Sequence, residues 1–118
     1  MAEYNLWLEV KDLTKRLDEA IEEMRRCGQE LAAAERAYKV QLRKTALRLK
    51  MGGMAVGMIQ LTIYGDDDVA PLRERRDVAE AFYQAAKEAA MSYKMQAKLV
   101  NEQLNREMSS PNVGYGSM

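Results

Sequence analysis

The chain has 118 residues, which is the length of one domain at most. Eighteen Lys and Arg residues balance eighteen Asp and Glu residues, and this excludes a global excess of either charge as a basis for binding DNA or membranes. The single cysteine, Cys27, excludes an internal disulfide framework, and no window approaches the roughly 18 consecutive apolar residues of a membrane span.

The first predicted element is one long helix from about residue 4 to 51. Apolar residues recur there at alternating steps of four and three, which places them on one stripe of a helix. The stripe consists of Leu6, Val10, Leu13, Leu17, Ala20 or Ile21, Met24, Cys27 or Gly28, Leu31, Ala34, Tyr38, Leu42, Thr45 or Ala46, and Leu49. Charged residues fill the positions between, as expected of a solvated face.

The connection, residues 52–67, lies in the apolar stretch MGGMAVGMIQLTIYGDDDVAP. A strand-like alternation covers 59–63, but no other segment offers a strand to pair with, so we expect a short helix over about 54–63, bracketed by glycines. Its apolar side chains either close the end of a helical core or contact another chain. The candidate contact residues are Met54, Met58, Ile59, Leu61, Ile63 and Tyr64.

A second long helix is predicted from about residue 68 to 108. Its stripe holds a four-three spacing over five heptads, with Phe82 and Ala89 widening it. The positions are Leu72, Arg76, Ala79, Tyr83, Ala86, Ala90, Tyr93, Ala97, Val100, Leu104 and Glu107. Asp66, Asp67 and Asp68 are placed to cap its first amides, and Pro71 suits a first turn. Residues 109–118 have the composition of a disordered tail.

These elements predict an all-α fold, an antiparallel hairpin of two long helices forming a single domain over residues 1–108. Two helices bury little apolar surface against the entropy cost of ordering the chain. We therefore expect a homo-oligomer, with two copies pairing into a four-helix bundle dimer.

Residues suited to catalysis or metal binding are sparse. There is no histidine, which removes the commonest general base and metal ligand. Cys27 lies on the apolar stripe and is expected to be a buried small hydrophobe. Residues 66–68 lack the alternating spacing of a calcium loop, and the glycines match no phosphate-binding motif. We expect no enzymatic activity, no metal and no cofactor.

Local positive charge is the most suggestive feature. Between residues 36 and 50 there are six basic residues and no acid, and the second helix adds two more near the same end of the hairpin. They are Arg36, Lys39, Arg43, Lys44, Arg48, Lys50, Arg73 and Arg76. Three interpretations stay open: interhelical ion pairs, phosphates of a nucleic acid with Tyr38 and Tyr64 stacking on bases, or an acidic protein partner.

The chain also resembles a known group of proteins. The segments AERAYKVQLRKTALRLK, GGMAVGMIQLTIYGDDDVA and LRERRDVAEAFYQAAKEAAMSYKMQAKLVNEQLNRE are similar to small all-helical proteins encoded in the early or replication region of phages and prophages of Gram-positive bacteria. The resemblance covers roughly residues 4–107. It implies a phage setting and the cytoplasm of a bacterial host, and it implies no catalytic residue.

Two functions are therefore predicted. The first is a non-enzymatic protein that binds a host or viral protein complex, including as an inhibitor of a host defence such as a CRISPR effector. The second is a nucleic-acid-binding accessory protein of phage replication or recombination. The N-terminus has no basic region followed by an apolar run, so neither a signal peptide nor a membrane partner is expected.

Overall fold

Three helices make up the fold. The structure is a computed structural model that describes residues 2–116 and the side chains of residues 4–109. Helix α1 spans Ala2–Met51, α2 spans Val56–Thr62, a 3-10 turn covers Ile63–Gly65, and α3 spans Ala70–Gly116. Residues 2–116 contain no strand. The predicted all-α class, the antiparallel hairpin of two long helices and the short helical connection are confirmed.

The chain divides into two compact units. The connection unit comprises residues 25–85, which hold the end of α1, the whole connection and the start of α3. The terminal unit comprises residues 2–24 and 86–116, which are the beginning of α1 and the rest of α3. The single domain predicted over residues 1–108 stays a prediction.

Both predicted stripes face inward. On α1, Leu13, Ala34, Tyr38 and Thr45 are buried, and most of the other stripe positions are half-buried. On α3 every stripe position from Leu72 to Glu107 is buried or half-buried. The regular four-three spacing therefore identified the contact face of each helix.

Two large residues assigned to the stripes lie outside them. Phe82, expected to widen the stripe of α3, is 64 % exposed, and Ile21 on α1 is 46 % exposed. A residue one step from the seam of a helix pair points along the flank of the pair rather than into it.

Helix α1 ends in a motif that requires glycine. The amide of Gly53 donates to the carbonyl of Lys50, and the amide of Met54 donates to the carbonyl of Leu49, at 3.0 and 3.1 Å. This is the hydrogen-bond pattern of the Schellman motif, and Gly53 has the φ of +89° that the motif needs. Met54 and Leu49 both pack on the same apolar cluster, so the motif also directs the chain back over the core.

The core of the connection unit joins all three helices. Tyr38 from α1, Ile59 and Ile63 from the connection, and Val69 before α3 form one buried cluster. Partly buried apolar side chains surround it: Leu42, Ala46, Leu49, Met54 and Leu72. Because α2 presents Ile59 to this cluster, the connection covers the seam between the two long helices.

Asp66 organises the entry to α3. Its carboxylate accepts a hydrogen bond from the amide of Asp68 at 2.9 Å, and its carbonyl accepts the amides of Val69 and Ala70. The Asp66 carboxylate therefore stabilises the turn that precedes α3 and caps no amide of α3 itself, whereas Pro71 lies in the first turn as predicted. α3 begins at Ala70, two residues later than expected.

α3 ends at Gly116, beyond the predicted end near residue 108. Ser117 and Met118 lie outside the described residues, as do the side chains of residues 110–116. The disordered tail expected over 109–118 stays a prediction.

The terminal unit contains only two helix segments. Its buried side chains, among those described, are Leu13, Ala90 and Leu104. Arg16 donates to the carboxylate of Asp12 at 2.9 Å, and hydrogen bonds to Asp12 and to Tyr93 raise the pKa of Arg16. The Tyr93 contact joins α1 to α3 at the surface of this unit.

Candidate partner-binding surface

Five of the exposed cations near the end of α1 have no acid partner among the described side chains. They form what we call the basic strip: Arg36, Lys39, Arg43, Lys44 and Lys50. Among the described side chains, none of the five forms an ion pair with an acid. The end of α1 therefore carries positive charge that the connection unit does not itself neutralise.

Apolar side chains are interleaved with this charge. Three cations, Arg36, Lys39 and Arg43, line an open groove of about 370 Å³ together with one acid, Glu35, and with Val40. Leu47 lies four residues beyond Arg43 and is 57 % exposed, and Met51 at the end of α1 is 80 % exposed. Steps of four and three return to one side of a helix, so cations and aliphatic side chains share the outer face of α1.

Arg48 is not part of the basic strip, because it forms an ion pair within the chain. Its guanidinium donates to the carboxylate of Asp66 at 2.6 Å, which ties the end of α1 to the entry of α3. The amide of Asp68 first, and then Arg48, lower the pKa of Asp66. For this residue the interpretation as an intramolecular ion pair holds.

The two candidate arginines of α3 also make contacts within the connection unit. Arg73 stacks over the ring of Tyr64 at 4.6 Å, and Arg76 stacks over the ring of Tyr38 at 4.7 Å. Arg76 is half-buried and pairs with Asp77 at 2.8 Å, and this hydrogen bond raises the pKa of Arg76. Through these cation–π contacts both arginines attach the first turns of α3 to the connection and to α1.

The candidate contact residues of the connection divide into two groups. Ile59 and Ile63 are buried in the core, and Met54 is packed against it. Met58, Leu61 and Tyr64 point outward, with Leu61 79 % exposed. The apolar connection therefore both closes the core and presents side chains to solvent, whereas the sequence offered these roles as alternatives.

Four exposed apolar residues of this region were missed by sequence reasoning: Leu47, Met51, Val56 and Val78. Leu47 and Val78 fall between positions of the four-three stripes, where polar residues are expected on a solvated face. An apolar residue off the stripe is thus the available signal. A second signal is the spacing of four between Leu47 and Met51, which puts them side by side.

No family model matches the sequence, and neither a curated protein nor a solved structure matches it. Among the described residues, no helix combines the length and hydrophobicity needed to cross a membrane. The same part of the chain brings together no group of three His, Cys, Asp or Glu side chains that is suited to a metal ion. Cys27 is half-buried in α1.

Proposed function

We propose that the protein is a non-enzymatic binding module whose outer face of α1 docks on an acidic protein surface that carries apolar contact residues. The observation that carries this proposal is the interleaving of exposed cations with Leu47 and Met51 on one face. Protein interfaces combine apolar anchors with surrounding charge, and arginine is enriched in them. The unneutralised positive charge selects a partner of negative charge.

The aliphatic content of this face favours a protein over a nucleic acid. Single-stranded nucleic acids stack their bases on exposed aromatic rings. Tyr38 is 6 % exposed and lies under Arg76, and Tyr64 is covered on one side by Arg73. Tyr38 is thus unavailable for base stacking and Tyr64 keeps only one open side, while Leu47 and Met51 offer contacts that phosphates do not use.

The phage setting implied by the resemblance directs the choice of partner. In that setting the partner is a host or viral protein complex in the cytoplasm of the bacterial host, and binding to a host defence complex such as a CRISPR effector would inhibit it. The acidic nature of the contacted surface is the chemical feature by which the partner is recognised.

The experiment measures affinity with matched variants. The immobilised protein captures host proteins with and without nuclease, and a captured protein is purified for titration. Leu47→Asp is compared with Leu99→Asp, because Leu47 and Leu99 are 57 % and 55 % exposed. Arg43→Glu is compared with Arg106→Glu, because both arginines are exposed.

We expect Leu47→Asp and Arg43→Glu each to weaken binding about tenfold or more, as losses of interface anchors do. Leu99→Asp and Arg106→Glu are expected to leave the affinity close to that of the unchanged protein. Capture of a protein does not by itself support the proposal. Support requires that Leu47→Asp and Arg43→Glu weaken binding and that Leu99→Asp and Arg106→Glu do not. The proposal fails if all four variants bind equally, or if nuclease abolishes capture.

Nucleic-acid binding is the second candidate, because the five cations of the basic strip have no acid partner among the described residues. Its test is a gel shift with single- and double-stranded DNA at two salt concentrations. Phosphate contacts predict affinity that falls steeply with salt and that Arg43→Glu reduces. Absence of binding at low salt eliminates this candidate.

A further inference from the structure

Helix α1 carries a second seven-residue pattern on its outer face. Beginning at Ala33, every seventh residue is aliphatic, and beginning at Arg36, every seventh residue is a cation. The two sets alternate at steps of three and four, so they lie on one row along the helix, which we call the outer row. Of its six residues Val40 is half-buried and the others are exposed. The outer row consists of Ala33, Arg36, Val40, Arg43, Leu47 and Lys50.

The outer row lies opposite the buried stripe of α1. That stripe passes through Tyr38 and Thr45, which are 6 % and 1 % exposed. Val40 and Leu47 each follow one of these residues by two positions, which is about 200° around the helix axis. The buried stripe packs on the connection and on α3. A helix with a heptad row on each of two opposite faces has the pattern of a middle helix between two neighbours.

All of the charge at the contact positions of this row is positive. When two helices pack along a heptad row, the positions beside the row form ion pairs between them. Here these positions hold Lys39, Lys44, Met51 and three alanines, and no acid. Glu35, the one acid that lines the groove, precedes Arg36 by one residue and so lies about 100° around the axis from it. An element that covers the outer row must therefore supply negative charge.

The spacing of the row favours a helix as that element. From Ala33 to Lys50 the row extends about 26 Å, with a contact position about every 5 Å. Side chains on one face of a β-strand recur about every 6.8 Å, so a strand loses register with the row after two or three positions. A second helix presents side chains at the same alternating steps and keeps register along the whole row.

We infer that the partner of the outer face of α1 contributes an acidic amphipathic helix that packs along residues 33–50. On that helix, aliphatic residues recur every seven positions and contact Ala33, Val40 and Leu47. Acidic residues recur between them and on both sides, opposite the cations. This inference rests on the function proposed above, because it specifies which element of the partner contacts the same surface.

The test titrates the purified protein with two synthetic peptides of four heptads and identical composition. In the heptad peptide, leucines and glutamates alternate at steps of three and four, with further glutamates beside the row. In the permuted peptide the same residues are rearranged so that the leucines share no face of a helix. Fluorescence anisotropy measures the affinity of each peptide, and circular dichroism measures helix content.

We expect the heptad peptide to bind at least about tenfold more tightly than the permuted peptide, because only its leucines reach the aliphatic positions of the row together. The helix content of the mixture is expected to exceed the sum of the separate spectra, because an isolated peptide of this length is only partly helical. The four variants described above are expected to affect the heptad peptide as they affect the captured protein.

A further pair of variants tests the length of the contact. Ala33→Glu is compared with Ala89→Glu, because both alanines are exposed in long helices. Ala33 lies about 21 Å from Leu47 along the axis of α1. A helix that covers the whole row is expected to lose about fivefold or more in affinity at Ala33 as well, whereas Ala89→Glu leaves the affinity unchanged. Circular dichroism of each variant checks that it is folded.

Equal binding of the two peptides overturns the inference, because charge alone then accounts for the contact. Failure of the heptad peptide to bind, or equal losses in the row variants and their controls, also overturns it. If the captured protein responds to Leu47→Asp and Arg43→Glu but not to Ala33→Glu, this inference fails and the proposed function stands. If the captured protein responds to none of these variants, the proposed function fails as well.

Discussion

The connection unit and the terminal unit are built from the same two helices but bury very different amounts. The connection unit contains seven of the buried side chains: Ala34, Tyr38, Thr45, Ile59, Ile63, Val69 and Ala79. The terminal unit contains Leu13, Ala90 and Leu104. The difference is the connection itself, because Ile59 and Ile63 cover a seam that two helices alone leave open. Two helices share only a line of contact, and the third element, the connection, is needed to enclose a core.

The terminal unit accordingly leaves large apolar residues in solvent. Met91, Met95 and Leu99 recur at steps of four on α3, and each is more than half exposed. Met91 shares an open groove with Leu17, Ile21 and Met24 of α1. Methionine is flexible, fills irregular gaps and is common at adaptable surfaces. The packing of side chains in this groove is therefore less well defined than in the core of the connection unit.

The largest expected difference between the two units is in the free energy of unfolding that is lost when one isoleucine in each is shortened to alanine. Ile63→Ala deletes a residue that is 5 % exposed and is expected to cost about 3 kcal/mol in the free energy of unfolding, because a cavity remains in the core. Ile21→Ala, at a site that is 46 % exposed, is expected to cost less than about 1 kcal/mol. Urea denaturation followed by circular dichroism measures both, and equal losses would contradict the assignment of the core to the connection unit.

A smaller effect is expected at the glycines around α2. Gly53→Ala forces a side chain into a left-handed conformation and is expected to destabilise by about 1 kcal/mol. Gly57→Ala is the matched control, since Gly57 lies in α2 with open space around it, and the change should stabilise by up to about 1 kcal/mol. Opposite signs in thermal unfolding confirm the Schellman motif, and two stabilising changes refute it.

The smallest effect concerns pH and the tie between Arg48 and Asp66. Because folding lowers the pKa of Asp66, its contribution to stability is present above the ordinary aspartate range and is lost as the pH falls through the lowered value. Asp66→Asn should therefore flatten the fall in stability below about pH 4. Arg48→Gln should flatten it less, because the Asp68 amide is the larger cause of the lowered pKa.

Urea midpoints measured from neutral pH down to acid pH give this comparison. The opposite ranking, with Arg48→Gln the larger change, would show that the ion pair dominates over the amide. An unchanged profile in both variants would show that Asp66 does not contribute to acid unfolding.

The candidate surface was only partly accessible to sequence reasoning. The six cations of residues 36–50 were found as a group, because an acid-free run on one helix is visible in the sequence alone. That Arg48 pairs with Asp66 was not, because the pairing joins residues 18 apart and depends on how the connection folds back. The exposed neighbours Leu47 and Met51 were missed because they fall off the stripe that guided the assignment.

Phe82 is a second residue whose position was not predicted correctly from the sequence. Its place next to Tyr83 in an apolar stripe predicted a role in the seam, yet a single step along a helix rotates a side chain by about 100°. Which of two adjacent aromatic residues enters the seam is decided by the position of the facing helix. Gly28 of α1 approaches the ring of Tyr83, and a Cβ at Gly28 would lie 3.3 Å from that ring. Tyr83, not Phe82, therefore packs against α1.

The sequence by itself determined the two long helices, their buried stripes, the turn at the glycines and the helical character of the connection. These features follow from local spacing and backbone preference, which act over a few residues. The tertiary structure decided which apolar residues of the connection are buried, which cations are paired, and which side of α3 stays exposed. These outcomes depend on the rotation of each helix about its axis, and only packing against the other elements sets that rotation.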